Sequence, residues 1–138
     1  MVVLSPVAED YFEELRARSC GPRLFELESI PFVSAGLALG DVVRAEYRDG
    51  KAVIVGIAER SGARTVSIHA FDDAAFASVL ATFNSWQGLI EVDRSMRMIA
   101  VNLLPGEELP PQTKAVLSAA GMNGRVAFAD LDALVEAS

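Results

Sequence analysis

The sequence has 138 residues, the length of one ordinary domain. Apolar residues make up 51% of it and charged residues 22%, which excludes a disordered chain and predicts a core that needs neither metal nor disulfide. The net charge of −7 disfavours phosphate backbones, so we expect no nucleic-acid partner. Cys20 is the single cysteine, the first residues do not resemble a signal peptide, and no apolar run approaches the roughly 20 residues of a membrane span. We therefore expect a cytoplasmic protein with no membrane partner.

The first 30 residues contain one ambiguous segment and one clear strand. Residues 9–18 fit either a short helix or a weakly alternating strand, and both alternatives stay open. Residues 25–29 alternate between apolar and polar side chains, which predicts a half-buried strand. Gly21-Pro22 lies between the two segments, so we favour a hairpin with its turn there.

An apolar stretch, residues 30–41, is interrupted by a proline and two glycines, which predicts a packed loop. The glycines make neither a P-loop nor a dinucleotide-binding motif, so we interpret them as backbone turns. The motif residues that we assign a structural role are Pro31, Gly36, Gly40, Asp41, Ser61 and Gly62.

Two β-rich runs follow, residues 41–48 and 51–59. Asp49-Gly50 joins them, and this dipeptide is the strongest short signal for a β-hairpin. Ser61-Gly62 predicts another turn before the next strand. The hairpins up to residue 62 would form a small β-barrel or extend the sheet that follows.

From Arg64 onward the predicted order is β-α-β-β-α-β, which is that of the ferredoxin-like unit. The predicted elements are a strand at 64–71, a helix from Asp72 or Asp73 to Gly88, strands at 89–93 and 97–104, a helix from Pro110 to Gly121, a strand at 125–129 and a helical turn at 131–136. The fold class is therefore α+β. Residues 1–138 form a single domain with a β-rich part at 1–62 and a ferredoxin-like part at 63–138.

Strand alternation divides the predicted sheet into a helix-facing core and an open face. The predicted core residues are Val66, Ile68, Ile90, Val92, Ile99, Val101, Val126 and Phe128. The open face is too polar for a second sealed core and too apolar for a solvated surface, so we expect a partly covered cleft around His69. The candidate binding residues are Phe32, Arg64, Ser67, His69, Met98 and Asn102. One histidine and one cysteine do not make a metal site, and we expect no metal and no cofactor.

Two motifs carry a family resemblance: Pro31-Phe32 with residues 36–43, and Ser61-Gly62 with residues 64–66. In this order and spacing they resemble an uncharacterised bacterial family of the "domain of unknown function" series, the one numbered 4265. Family members often have a polar residue after the Ser-Gly pair, whereas this chain has Ala63. The resemblance implies a bacterial, cytoplasmic protein and no particular activity.

Without a triad, a phosphate loop or a metal motif, the sequence favours a non-enzymatic binding or regulatory module for an unknown protein or small-molecule partner. An immunity-type or antitoxin-type role is one version, because acidic proteins can neutralise basic partners by charge. The alternative is a small enzyme that uses His69 as general acid or base in a cleft, assisted by Asn102 and Glu91. A homodimer that pairs the open sheet faces is a further expectation.

Overall fold

The computed structural model describes residues 1–131, which form two β-sheets and two helices. The first five strands close into a barrel, and the last four form a separate sheet. The barrel strands are β1 (Val2–Ala8), β2 (Tyr11–Gly21), β3 (Leu24–Leu27), β4 (Val42–Arg48) and β5 (Lys51–Glu59). The second unit consists of β6 (Arg64–Ala70), α1 (Asp73–Ala81), β7 (Leu89–Asp93), β8 (Met98–Leu103), α2 (Pro111–Met122) and β9 (Val126–Asp130).

The barrel settles both questions that the N-terminal sequence leaves open. Residues 11–21 form a strand, β2, in which Leu15 and Ala17 point into the barrel and are buried. Parallel pairing of β1 with β5, at Leu4 and Val53, closes the sheet, so the hairpins form a barrel rather than a sheet extension. The barrel core consists of Val3, Leu15, Ala17, Phe25, Leu27, Leu37, Val43, Ala45, Ala52 and Ile54.

The predicted hairpin turn at Asp49-Gly50 is confirmed. Asp49 has φ 53° and Gly50 φ 79°, both in the left-handed region that a tight two-residue turn requires. Arg48 and Lys51 pair directly across it. The turn fixes the register of β4 and β5.

In the second unit all strands pair antiparallel in the order β7-β8-β6-β9, and both helices pack on one face. Val66, Ile68 and Ala70 face the helices, as the alternation predicts. The core of this face consists of Val66, Ile68, Ala70, Ala75, Phe76, Val79, Phe83, Ile99, Val101, Leu103, Leu117 and Val126. Ile90 and Val92 pack against this core while partly buried.

Two predicted helix ends and one predicted core residue are wrong. Helix α1 ends at Ala81 rather than Gly88, because Thr82, Phe83 and Asn84 donate their backbone N–H groups to carbonyls three residues earlier, as in a 3₁₀-type turn, and the α-helical pattern does not continue. Helix α2 continues past Gly121 to Met122. Phe128, predicted in the core, keeps 52% of its surface exposed because β9 is an edge strand that the helices leave partly uncovered. Of the predicted C-terminal helical turn, residues 132–136 lie outside the described part of the chain.

The loop at residues 28–41 joins the barrel to the second sheet through carboxylates from both. Glu13 of β2 is only 8% exposed. Its carboxylate accepts hydrogen bonds from the backbone N–H of Phe32 at 2.6 Å, Val33 at 3.3 Å and Ser34 at 3.0 Å, and from the Ser34 hydroxyl at 2.6 Å. Glu91 of β7 accepts from the N–H of Ile30. The two carboxylates thus satisfy backbone donors that no strand or helix pairs.

We expect Glu13→Gln to lower the free energy of unfolding by about 2–3 kcal/mol, because the amide replaces a charged acceptor and turns a donor toward the loop N–H groups. Urea denaturation monitored by circular dichroism measures the change. Glu14→Gln is the matched control: Glu14 is exposed on the same strand, and its loss should change stability by less than about 0.5 kcal/mol. Equal midpoints for the two variants would contradict the role assigned to Glu13.

The start of α1 predicts a dependence of stability on pH. Asp72 caps the helix by accepting from the N–H of Ala75 at 2.7 Å, and Arg125 donates to the same carboxylate at 3.0 Å. The hydrogen bond from Arg125, followed by that from Ala75, lowers the pKa of Asp72 from its ordinary 3.8 to about 2. Because the folded pKa is depressed, the contribution of Asp72 to stability is complete above about pH 4 and is lost as the pH falls toward 2.

An NMR titration of the Asp72 carboxyl carbon should therefore give a pKa near 2 in the wild type and a higher value in Arg125→Gln. Arg125→Gln removes the ion pair and keeps the hydrogen bond from the Ala75 N–H. It therefore separates the effect of Arg125 on the pKa of Asp72 from the effect of the helix cap. An unchanged pKa in this variant would show that the ion pair does not depress the pKa of Asp72.

Candidate functional site

An open cleft of about 260 Å³ lies between the loop and the open face of the second sheet. We call it the His69 cleft. Its lining consists of Phe32, Val33, Ser67, His69, Ala127, Phe128, Ala129 and Leu131. Apart from Ser67 and His69 these side chains are apolar.

Strand register explains why there is space above this part of the sheet. His69 of β6 pairs with Ala127 of β9, and Ser67 pairs with Ala129. Alternating side chains share a face, so two methyl groups stand where larger residues would fill the volume. Phe32 closes the opposite side, and Glu13 holds its backbone in place.

The imidazole of His69 is half-buried and makes an edge-on ring contact with Phe71, with 4.9 Å between the ring centres. Within residues 1–131 no hydrogen bond to its ring nitrogens exists. A general base is normally oriented by a second polar group. His69 can therefore donate or accept a hydrogen bond toward a ligand, and no described side chain fixes its tautomer.

The six candidate binding residues do not all meet in this cleft. Phe32, Ser67 and His69 line it together. Arg64 instead pairs with Asp130 at 2.8 Å and donates to the backbone oxygen of Glu107 at 3.2 Å. Met98 pairs with His69 across the strands and is absent from the lining.

Asn102 lies at the other end of the sheet and lines a different cleft of about 280 Å³. The two clefts are similar in volume. Glu91, proposed as an assistant to His69, binds the backbone of Ile30 and the guanidinium of Arg16 at 2.6 Å. Neither Asn102 nor Glu91 lines the His69 cleft.

Three of the motif residues, Gly40, Asp41 and Ser61, connect the loop to the segment between β5 and β6. The Asp41 carboxylate, almost fully buried, accepts from the N–H of Ala38 at 3.0 Å and of Ser61 at 2.8 Å, and the Ser61 hydroxyl donates to the Leu39 oxygen at 2.8 Å. Gly40 has φ 86°, and a Cβ there would lie 3.1 Å from the Ser61 Cβ. Any side chain at position 40 would therefore be strained and crowded.

Sequence reasoning missed Glu13 as the residue that positions the site. A signal existed: Glu13 shares the parity of the inward-facing Leu15 and Ala17, and a charged residue on the buried side of a strand requires partners. Those partners are 19 to 21 residues away in the loop, so the sequence does not reveal them.

Across residues 1–131 no cluster of three or more histidine, cysteine or carboxylate side chains is placed to hold a metal ion. No helix in this same part of the chain is long and apolar enough to cross a membrane.

The fold is that of a two-part α+β protein, in which a closed five-stranded barrel precedes a four-stranded sheet with two helices. The family model "Domain of unknown function (DUF4265)" matches residues 13–128, so the chain belongs to this family and the resemblance is confirmed. A crystal structure of a hypothetical protein from Neisseria gonorrhoeae superimposes with a TM-score of 0.72 at 20% identity, over 95% of this chain and 93% of that one. This likeness concerns the fold. No curated protein matches the sequence.

We expect His69→Ala to change the free energy of unfolding by less than about 1 kcal/mol, because His69 is half-buried and makes no hydrogen bond within the described residues. Ile68→Ala is the control on the opposite face of the same strand. Ile68 is fully buried, and its truncation should cost about 2–5 kcal/mol. Thermal denaturation of both variants measures the difference, and comparable losses would make His69 a structural residue.

Proposed function

We propose that this protein is a non-enzymatic binding module whose His69 cleft accepts one small, mainly apolar ligand group. The observation that carries the proposal is the lining, in which Ser67 and His69 are the polar side chains among otherwise apolar described residues. Binding sites typically combine apolar walls with a few polar groups that fix orientation.

The size of the cleft supports a single group rather than a whole drug-sized molecule. Its volume of about 260 Å³ falls below the ~300–1,000 Å³ typical of pockets for such ligands. A phenol or a branched aliphatic group fits this description. Such a group could belong to a small molecule or to a side chain of a protein partner, and the net charge of −7 favours a basic partner.

The lack of a described orienting group for His69 favours binding over acid–base catalysis. Glu91 and Asn102 are engaged or located elsewhere, so a proton transfer by His69 would act without the assistants that the enzyme hypothesis assigns. His69 then serves to orient the ligand by a hydrogen bond.

We further infer that the second sheet and its helices are a ferredoxin-like unit. The β-α-β-β-α-β order, the antiparallel strand order β7-β8-β6-β9 and the helices on one face support this. We also infer a cytoplasmic location in a bacterium. The exposed Cys20, which forms no disulfide, supports a reducing compartment, and the similar solved structure comes from a bacterium.

Titration with p-cresol, monitored by NMR on the imidazole C–H signals of His69, tests the binding proposal. We expect a saturable shift in the wild type and none in Ala129→Phe, whose ring would fill the cleft. Ala58→Phe is the matched control, because Ala58 is an exposed strand residue of the barrel, outside the cleft.

Ala127→Phe offers a second way of filling the cleft, should Ala129→Phe not fold. No shift of the His69 signals in the wild type, or the same shift in the filled variants, would refute the proposal.

A further inference from the structure

A second cleft, independent of the His69 cleft, lies where β7 begins and β8 ends. We call it the Trp86 cleft, and the lining residues that matter are Trp86, Leu89, Asn102, Leu104 and Glu107. Its volume is about 280 Å³. It shares no lining residue with the His69 cleft, so the two can be tested separately.

Asn102 is the unusual residue of the Trp86 cleft. Its side chain is 4% exposed, and its Oδ1 is completely buried without a hydrogen-bond partner within residues 1–131. An unpaired buried polar group of this kind destabilises the folded protein. A leucine of similar size would occupy the position without that penalty.

The strands on either side of Asn102 do not satisfy the amide. Thr65 lies opposite on β6, but its hydroxyl donates to the Leu37 oxygen at 3.1 Å. Leu89 lies opposite on β7 and is apolar. Asn102 is therefore a polar residue that the fold buries and that the described residues leave unpaired.

The walls of the Trp86 cleft are held in place by contacts around them. The Trp86 indole packs directly on Gly88, where a Cβ would lie 2.3 Å from the ring, and the Phe83 ring is 5.6 Å away. On the other wall, Glu107 Oε1 accepts from the N–H of Leu104 at 3.1 Å, and Arg64 donates to the Glu107 backbone oxygen. A preformed site of this kind loses little entropy when a ligand binds.

From this arrangement we propose that the Trp86 cleft binds a small, planar, uncharged ligand with an amide-type edge, in which an N–H donor stands beside a carbonyl acceptor. Because its Oδ1 is completely buried, the Asn102 carboxamide offers one polar atom at a time to the ligand, and rotation about its last side-chain bond makes that atom either the donor or the acceptor. Trp86, Leu89 and Leu104 pack against the body of the ligand. The Glu107 carboxylate disfavours anions.

Benzamide is the probe, and benzoate, equal in shape but anionic, is its control. Trp86 is the single tryptophan, so its fluorescence and its indole N–H signal report on this cleft alone. We expect saturable binding of benzamide and at least about tenfold weaker binding of benzoate. No saturable response to benzamide, or equal affinities for the two probes, would overturn the proposal.

Two variants assign the binding to Asn102. Asn102→Leu should bind benzamide at least about tenfold more weakly than the wild type while its midpoint of unfolding does not fall. Thr65→Val is the matched control: it removes a buried polar group that has a partner, so it should lose stability and keep benzamide affinity. Unchanged affinity in Asn102→Leu, or a loss of stability as large as that of Thr65→Val, would make Asn102 a structural residue and refute the assignment.

Discussion

The carboxylate of Glu13 lies inside the protein and accepts hydrogen bonds from three successive backbone N–H groups and one hydroxyl of the loop at residues 28–41. A buried charge is tolerated only when donors surround it, and a buried loop is tolerated only when its backbone groups find partners. Here the loop N–H groups are the donors that Glu13 needs, and the Glu13 carboxylate is the acceptor that the loop needs. The Glu13 side chain therefore holds the loop segment that carries Phe32 against the barrel strand.

The His69 cleft depends on the position of this loop, because Phe32 and Val33 line it. The Trp86 cleft lies at the end of the sheet that the loop partly covers. The loop is tied to the barrel by Glu13, to the segment between β5 and β6 by the bond between Asp41 and Ser61, and to the second sheet by Glu91 and Thr65. Where the loop passes close to the sheet, the open face is sealed and Thr65 is buried. Where β9 carries alanines, the face stays open, and this is the His69 cleft.

The same overall arrangement occurs at 20% identity in the hypothetical protein from Neisseria gonorrhoeae. A barrel and a helix-covered sheet are set by alternating apolar positions, which many sequences can provide. The character of the two clefts depends instead on individual side chains such as Ala127, Ala129 and Asn102.

The sequence by itself determined the features that arise between near neighbours in the chain. The Asp49-Gly50 turn, a helix cap at Asp72 or Asp73 and the two faces of β6 follow from local backbone preference and alternation, and the structure has all three, with Asp72 as the cap. The helix ends predicted at Gly88 and Gly121 are wrong, because a glycine permits a helix to end without requiring it.

Only the tertiary structure decided which distant residues meet. Closure of the barrel rests on β1 pairing with β5, about fifty residues later in the chain, and the partners of Glu13 lie in a loop without regular structure. Side-chain alternation placed Ser67, His69 and Asn102 on one face, but the length of the strands separates them into two clefts. Periodicity specifies the face on which a side chain lies, whereas its partners depend on contacts between residues far apart in sequence.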